Sequence, residues 1–273
     1  MSMPMDRPKA ARMALYAALV ESVWDTQVKP NPNAPLRQLP GWTLKGRIMA
    51  DDDLDVVQSL RSAFNLGQDN CFYGLLLARA DEDPDKDFEI GDLLALIRGT
   101  GSDKEWLLDA CAVPEGLQAT AVRPGGLVPQ GFHSIYQSMV YIDADTGTDH
   151  GPLAHALSDV AAASGKSLTV IGHSLGAALV AYLAYDLATP PVACADVTSY
   201  MFASPNPGDP SFAAAFKDKV GRYNVIDWSA DLVPQVPPLP FVPLLNNATS
   251  GGKTIRRDDS TKRSGCRHRW LGA

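Results

Sequence analysis

One pentapeptide in this 273-residue chain has the types and spacing to build a nucleophile: Gly172-His173-Ser174-Leu175-Gly176. A serine hydroxyl attacks poorly until it is lifted clear of its neighbours, given a base and set beside hydrogen-bond donors. The G-x-S-x-G spacing serves the first need. Where a strand turns sharply into a helix at a serine, the residues two before and two after are forced against backbone. A Cβ at either place would collide, so both are Gly. The hydroxyl then projects from the sheet edge, with the N-terminus of the following helix behind it. The alternative is a Gly-rich turn without chemistry, and the flanks decide against it. Before the serine runs Leu168-Thr169-Val170-Ile171, apolar and β-branched like a buried strand. After it, Ala, Leu, Val and Tyr recur at helical spacing to Leu187, with no Pro and no Gly beyond Gly176.

The serine needs a base. Nucleophiles on such turns take their partners in the chain order Ser, Asp, His, with the acid in a loop after a later strand. Two acids stand within the five residues after the strand candidate Arg222 to Ile226: Asp227, close to the strand, and Asp231, just beyond it. Of the five histidines only His268 comes later than both. His268 would take the Ser174 proton and hand it to the leaving alcohol, while the acid orients the imidazole and stabilises its cation. Its alternative is a histidine in a basic tail. His173 adjoins the serine but points away from it in an elbow. His133, His150 and His155 suit structural or surface roles. The tetrahedral intermediate also needs donors. The backbone N–H of Leu175 lies at the helix N-terminus, and Thr100, between Gly99 and Gly101, follows the strand candidate Asp92 to Arg98.

The remaining elements must hold these groups in place. Pro8 to Trp24 predicts a helix on which Ala11, Leu15, Ala18, Leu19 and Val23 share a face. Lys29 to Gly41, with four prolines, predicts an extended loop. Trp42 to Ala50 and Cys71 to Ala80 predict strands, and Asp81 to Asp87 a solvated acidic turn. Ser102 can cap a short helix through Leu108, apolar on the side of Trp106, Leu107 and Leu108. Gly131 to Tyr141 and Pro152 to Ala163 predict helices. Val197 to Phe202 predicts a strand, and Asp209 caps a helix to Lys219. Strands alternating with helices imply an α/β fold, a mostly parallel central sheet with helices on both faces, in one domain.

Composition narrows the function. Apolar residues make up 45% and charged residues 20%, as in ordinary globular proteins. The net charge of −7, with no aromatic-plus-basic array, argues against nucleic acid as a partner. Ser250 to Ala273 carries seven Lys or Arg against two Asp and predicts a solvated basic tail. Cys71, Cys111, Cys194 and Cys266 are too scattered for a disulfide framework or a metal site. No apolar run reaches membrane-spanning length. Met1 to Pro8 lacks the apolar core of a secretory leader, so the protein is expected to be intracellular, or secreted with a leader absent from this sequence. No nucleotide-binding glycine pattern is present, and neither a metal nor a redox cofactor is implied.

Several motifs in order resemble the class 3 lipases, the fungal-type triacylglycerol lipase family of α/β-hydrolases. Arg98-Gly99-Thr100, followed by Trp106 and Asp109, resembles that family's oxyanion loop and lid. Gly131-Phe132 resembles its Gly-Phe pair, and GHSLGAAL its elbow. Phe202-Ala203-Ser204-Pro205 with Gly208-Asp209 resembles its F-x-S-P turn, and Asp231-Leu232-Val233-Pro234 with Pro237-Pro238 the loop bearing its acid. The resemblance covers roughly Asp92 to Leu245. It selects Asp231 over Asp227 and implies a lid over Gly101 to Ala110. Cys266-Arg267-His268 is similar to the surroundings of the family's histidine. Two features depart from the family: Pro129 stands where a His is usual, and the last apolar helix is cut to Arg269 to Ala273, as in a truncated or altered C-terminus. The resemblance implies a serine carboxylic-ester hydrolase, foremost a lipase acting on acylglycerols at a lipid–water interface. A short-chain esterase or phospholipase with the same triad, and a non-catalytic lipid-binding relative, are the alternatives.

Overall fold

The computed structural model describes residues 7–31, 35–37, 39–50, 71–80, 92–99, 120–194, 196–227, 233–235, 237, 240–244 and 253–256. In chain order the elements are α1 (Arg7–Val23), β1 (Trp42–Ala50), β2 (Cys71–Arg79), β3 (Leu93–Ile97), β4 (Thr120–Arg123) and β5 (Gly126–Pro129). There follow α2 (Gln130–Gln137), β6 (Val140–Asp143), β7 (Asp149–Pro152), α3 (Leu153–Ser164), β8 (Leu168–His173) and α4 (Leu175–Leu187). The chain continues through β9 (Val197–Phe202), α5 (Pro210–Lys219), β10 (Tyr223–Asp227) and β11 (Lys253–Arg256).

Among the described residues, nine strands form the central sheet in the order β11-β10-β9-β8-β3-β2-β1-β6-β7. From β3 through β8, β9 and β10 to β11 every neighbour is parallel, and β2, β1, β6 and β7 extend the other side antiparallel. The parallel part carries Ser174. Burial explains which sequences lie centrally. LLALI of β3 is buried at every position and β2 is buried along all but its ends, as strands covered on both faces must be.

Alternate residues feed two cores. On one face Leu93, Ala95, Ile97, Leu168 and Val170 pack with α2, α3, α4 and α5. On the other, Leu94, Leu96, Ile171, Tyr200 and Phe202 pack against Met13, Tyr16, Ala17, Val20 and Val23 of α1. The alternation slips once in β2: Phe72 pairs with Met49 and Gly74 with Ile48, leaving Tyr73 as a bulge that turns Leu75 and Leu77 toward α1. The α4 helix is apolar nearly all round because the sheet, α2, α3 and α5 surround it.

Two expectations require correction. The buried side of α1 is the Met13, Tyr16, Ala17, Val20 stripe; of the expected face Val23 is buried and Leu19 half-buried, while Ala11 and Ala18 are exposed and Leu15 is 63% exposed. Both stripes are apolar at helical spacing, and the partners choose between them: Tyr16 Oη accepts from Trp42 Nε1 at 3.0 Å. The helix expected over Gly131 to Tyr141 ends at Gln137, and Tyr141 lies in β6, paired with Ile48. In the basic stretch, Lys253–Arg256 pairs in parallel with β10 as an edge strand of the sheet.

Candidate active site

Strands β3, β8, β9 and β10 end together along one edge of the sheet, where Ile97 pairs with Gly172, His173 with Phe202, and Phe202 with Ile226. In open parallel sheets this carboxyl edge is where side chains converge on a ligand. Ser174 sits there, between the end of β8 and the start of α4, with φ 54° and ψ −127°. That backbone is costly for a residue with a Cβ, on the order of 1–3 kcal/mol, and persists only where the surroundings enforce it. They do so from three sides. Ser174 N donates to Phe202 O at 3.0 Å, and Ser174 O accepts from Ala177 N at 2.9 Å. A Cβ on Gly172 would run into the Gly176 carbonyl, and one on Gly176 into the carbonyls of Ile97 and Arg98.

As the first residue of α4, Leu175 has no acceptor for its N–H within the helix. That donor lies beside the serine at the positive end of the helix dipole. His173, the last residue of β8, is exposed. Gly172, His173, Ser174, Leu175 and Gly176 together form this strand-to-helix turn. Asp227, the local rival for the acid, is buried as the last residue of β10. Thr100, Trp106, Leu107, Leu108, Asp231 and His268 lie outside the described residues. His133 is buried on α2, where burial and the neighbouring Arg123 hold its imidazole below the usual value. His150 tilts against the Tyr141 ring on β7, and His155 is exposed on α3.

Gly99 flanks the serine. A Cβ there would lie 3.3 Å from Ser174 Cβ and 3.0 Å from His173 O. Its N–H donates to Glu21 Oε1 of α1 at 2.5 Å, and its carbonyl accepts from Arg98 Nη1 at 2.7 Å. The buried Arg98 guanidinium also donates through Nε to Phe72 O at 2.5 Å and lies over the rings of Trp24 (4.2 Å) and Tyr73 (4.7 Å). Burial pushes the Glu21 carboxyl up, against the opposing pull of the Gly99 N–H and Arg98. The sequence reading did not single out Glu21. Its signal was a lone carboxylate beside an apolar helical stripe, four residues after Ala17.

Residues 94–241 match the family model described as lipase (class 3). The chain is 32% identical over 172 residues to phospholipase A1-II 7 of Oryza sativa subsp. indica, a match covering 55% of this chain and 42% of that protein. It is 31% identical over 174 residues to phospholipase A1-II 6 of Oryza sativa subsp. japonica, covering 55% and 41%. The chain therefore spans less than half the length of these curated relatives. Among solved structures, a lipase from Rhizopus microsporus var. chinensis superposes with a TM-score of 0.58 at 18% identity, covering 85% of this chain and 70% of that one. The triacylglyceride lipase of Rhizomucor miehei gives 0.57 at 18%, covering 86% and 78%. At that identity the two structures speak for a shared α/β-hydrolase fold.

Proposed function

This chain belongs to the class 3 lipase family, and from that premise we propose that it is a serine carboxylic-ester hydrolase of glycerol-based lipids. Ser174 is its nucleophile. One observation carries the reading: a non-glycine residue held at φ 54° on a strand-to-helix turn, walled by two glycines that admit no Cβ. Strain of this kind, at a turn whose glycines admit no Cβ, is what a site that needs the serine hydroxyl retains.

In the proposed reaction Ser174 Oγ attacks the ester carbonyl as His268 takes its proton, and Asp231 steadies the imidazolium. The Leu175 N–H and the Thr100 N–H meet the oxyanion, each such donor being worth roughly 3 kcal/mol in the transition state. The alcohol leaves with the proton, and water then releases the fatty acid from the acyl-serine. The roles of Asp231, His268 and Thr100 are supported by motif order and by the family. Identity favours a second substrate within the class. The plant relatives are named phospholipases A1 and are 31–32% identical, against 18% for the fungal lipases. A glycerophospholipid therefore stands beside triacylglycerol as substrate. The partner is a lipid surface, and among the described residues no helix is long and apolar enough to cross a membrane.

The test is the initial rate on short- and long-chain nitrophenyl esters, triacylglycerol emulsion and phosphatidylcholine vesicles, for wild type, Ser174→Ala and His268→Ala. Both variants should lose about 10⁴-fold or more in kcat. A His268→Ala variant that matches wild type removes His268 as the base. A wild type inert on all four substrates and unlabelled by a serine-reactive phosphonate leaves the non-catalytic lipid binder as the reading.

A further inference from the structure

A carboxylate is an unexpected neighbour for an ester-hydrolysing serine. Negative charge beside a developing oxyanion opposes it, and burying the carboxylate costs stability besides. Glu21 nevertheless reaches from α1 across the sheet edge to the turn after β3. Its Oε1 and Ser174 Cβ both lie within 3.3 Å of the point that a Cβ on Gly99 would occupy. Its partner explains the arrangement. The Gly99 peptide groups are gripped at both ends, the N–H by Glu21 and the C=O by Arg98. The Arg98 guanidinium, buried between Trp24 and Tyr73, supplies the charge that neutralises the carboxylate. Among the described residues, Asp25, one turn on, also acts on Glu21 and opposes its ionisation.

We infer that Glu21 is a positioning residue for the reaction at Ser174, acting through the Gly99 backbone. The inference rests on the hydrolase reading above. The Gly99 carbonyl belongs to the peptide unit that leads into the loop expected to bear an oxyanion donor. With the Gly99 N–H and carbonyl both held, turning either neighbouring peptide plane means losing a hydrogen bond. Glu21 and Arg98 thereby set the direction in which the chain leaves β3, against the nucleophile. Misplacement of about 1 Å at such a site costs on the order of 100-fold in rate. What matters is the acceptor and its reach; the charge is a liability that Arg98 offsets.

That makes an inverted ranking the test. Glu21→Gln keeps an oxygen at the same reach. Glu21→Asp keeps the charge and falls one methylene short, and Glu21→Ala removes both. With the preferred nitrophenyl ester, Glu21→Ala and Glu21→Asp should lose about 10- to 100-fold in kcat with KM within about threefold, while Glu21→Gln stays within about threefold of wild type. Val20→Ala, a packing change on the same helix, should lower Tm and leave kcat within about twofold. A Glu21→Ala kcat equal to wild type overturns the inference, as does Glu21→Asp equalling or exceeding Glu21→Gln. If Glu21→Ala does not fold, the Asp-against-Gln comparison decides alone. A wild type that turns over no ester overturns the hydrolase reading and this inference with it; a wild type that turns over beside an equally active Glu21→Ala overturns this inference only.

Discussion

In the proposed reaction, stability and activity oppose one another at Ser174. Its φ of 54° suits glycine, and the side chain is there for another purpose. Ser174→Gly should therefore raise stability by about 1 kcal/mol while abolishing hydrolysis, whereas Ser174→Ala abolishes hydrolysis without the gain. Denaturant midpoints for the three proteins check this, and a Ser174→Gly no firmer than Ser174→Ala would remove strain from the account. Glu21 offers a second case through pH. Its carboxyl is raised in the folded state, burial being the largest cause, so the native protein binds this proton more tightly than the unfolded chain does. The stability it contributes is complete below the unfolded value and is lost as pH rises through the folded one. Glu21→Gln cannot ionise. Its Tm should match wild type near about pH 4, exceed it increasingly as pH rises from the unfolded value to the folded one, and hold a constant margin above that. A difference that is flat or shrinks between those two values contradicts the raised carboxyl.

At the scale of elements, the β4–β5 hairpin depends on one buried cation. Arg123 Nη2 pairs with Asp186 Oδ1 of α4 at 2.6 Å and donates to Tyr182 O at 3.1 Å. Its guanidinium lies over the rings of Tyr136 (4.6 Å) and Tyr182 (4.9 Å), and Tyr136 Oη donates to the second Asp186 oxygen at 2.7 Å. Removing one partner of such a pair leaves the other uncompensated, so Arg123→Ala should cost about 3 kcal/mol, read as a lower urea midpoint at unchanged slope. The cap of α5 is a smaller contributor. Asp209 accepts from Phe212 N at 2.8 Å, and Asp209→Ala should cost about 1 kcal/mol by the same measurement.

For the whole molecule, α1 is half of a core rather than an appendage. Met13 and Val20 are fully buried against Phe72, Leu94, Leu96 and Ile171. Deleting residues 1–23 would expose that sheet face and remove Glu21 at once. The expected result is a protein that aggregates on expression or binds a hydrophobic dye, not one that is folded and slow. A folded, monomeric deletion variant would show that the second face does not need α1.

How much of this was legible in the chain follows from the range over which each feature is decided. The elbow was readable because its constraint is steric and acts within five residues: Gly172 and Gly176 each face backbone that would collide with a Cβ. The β8 and β9 strands and the Asp209 cap were readable for the same local reason, as buried runs and a short-range hydrogen bond. The β4–β5 hairpin was missed although Pro124-Gly125 is a turn signal, because its strands are only four residues each and gain stability from Arg123 reaching α4. The end of α2 was missed because the periodicity of Ile135, Tyr136 and Met139 continues a helix until β1 claims Tyr141 as a strand partner. The buried stripe of α1 and the reach of Glu21 to Gly99, 78 residues away in the chain, belong to tertiary structure alone. Periodicity offers two apolar stripes on that helix, and only the sheet that receives it can choose between them.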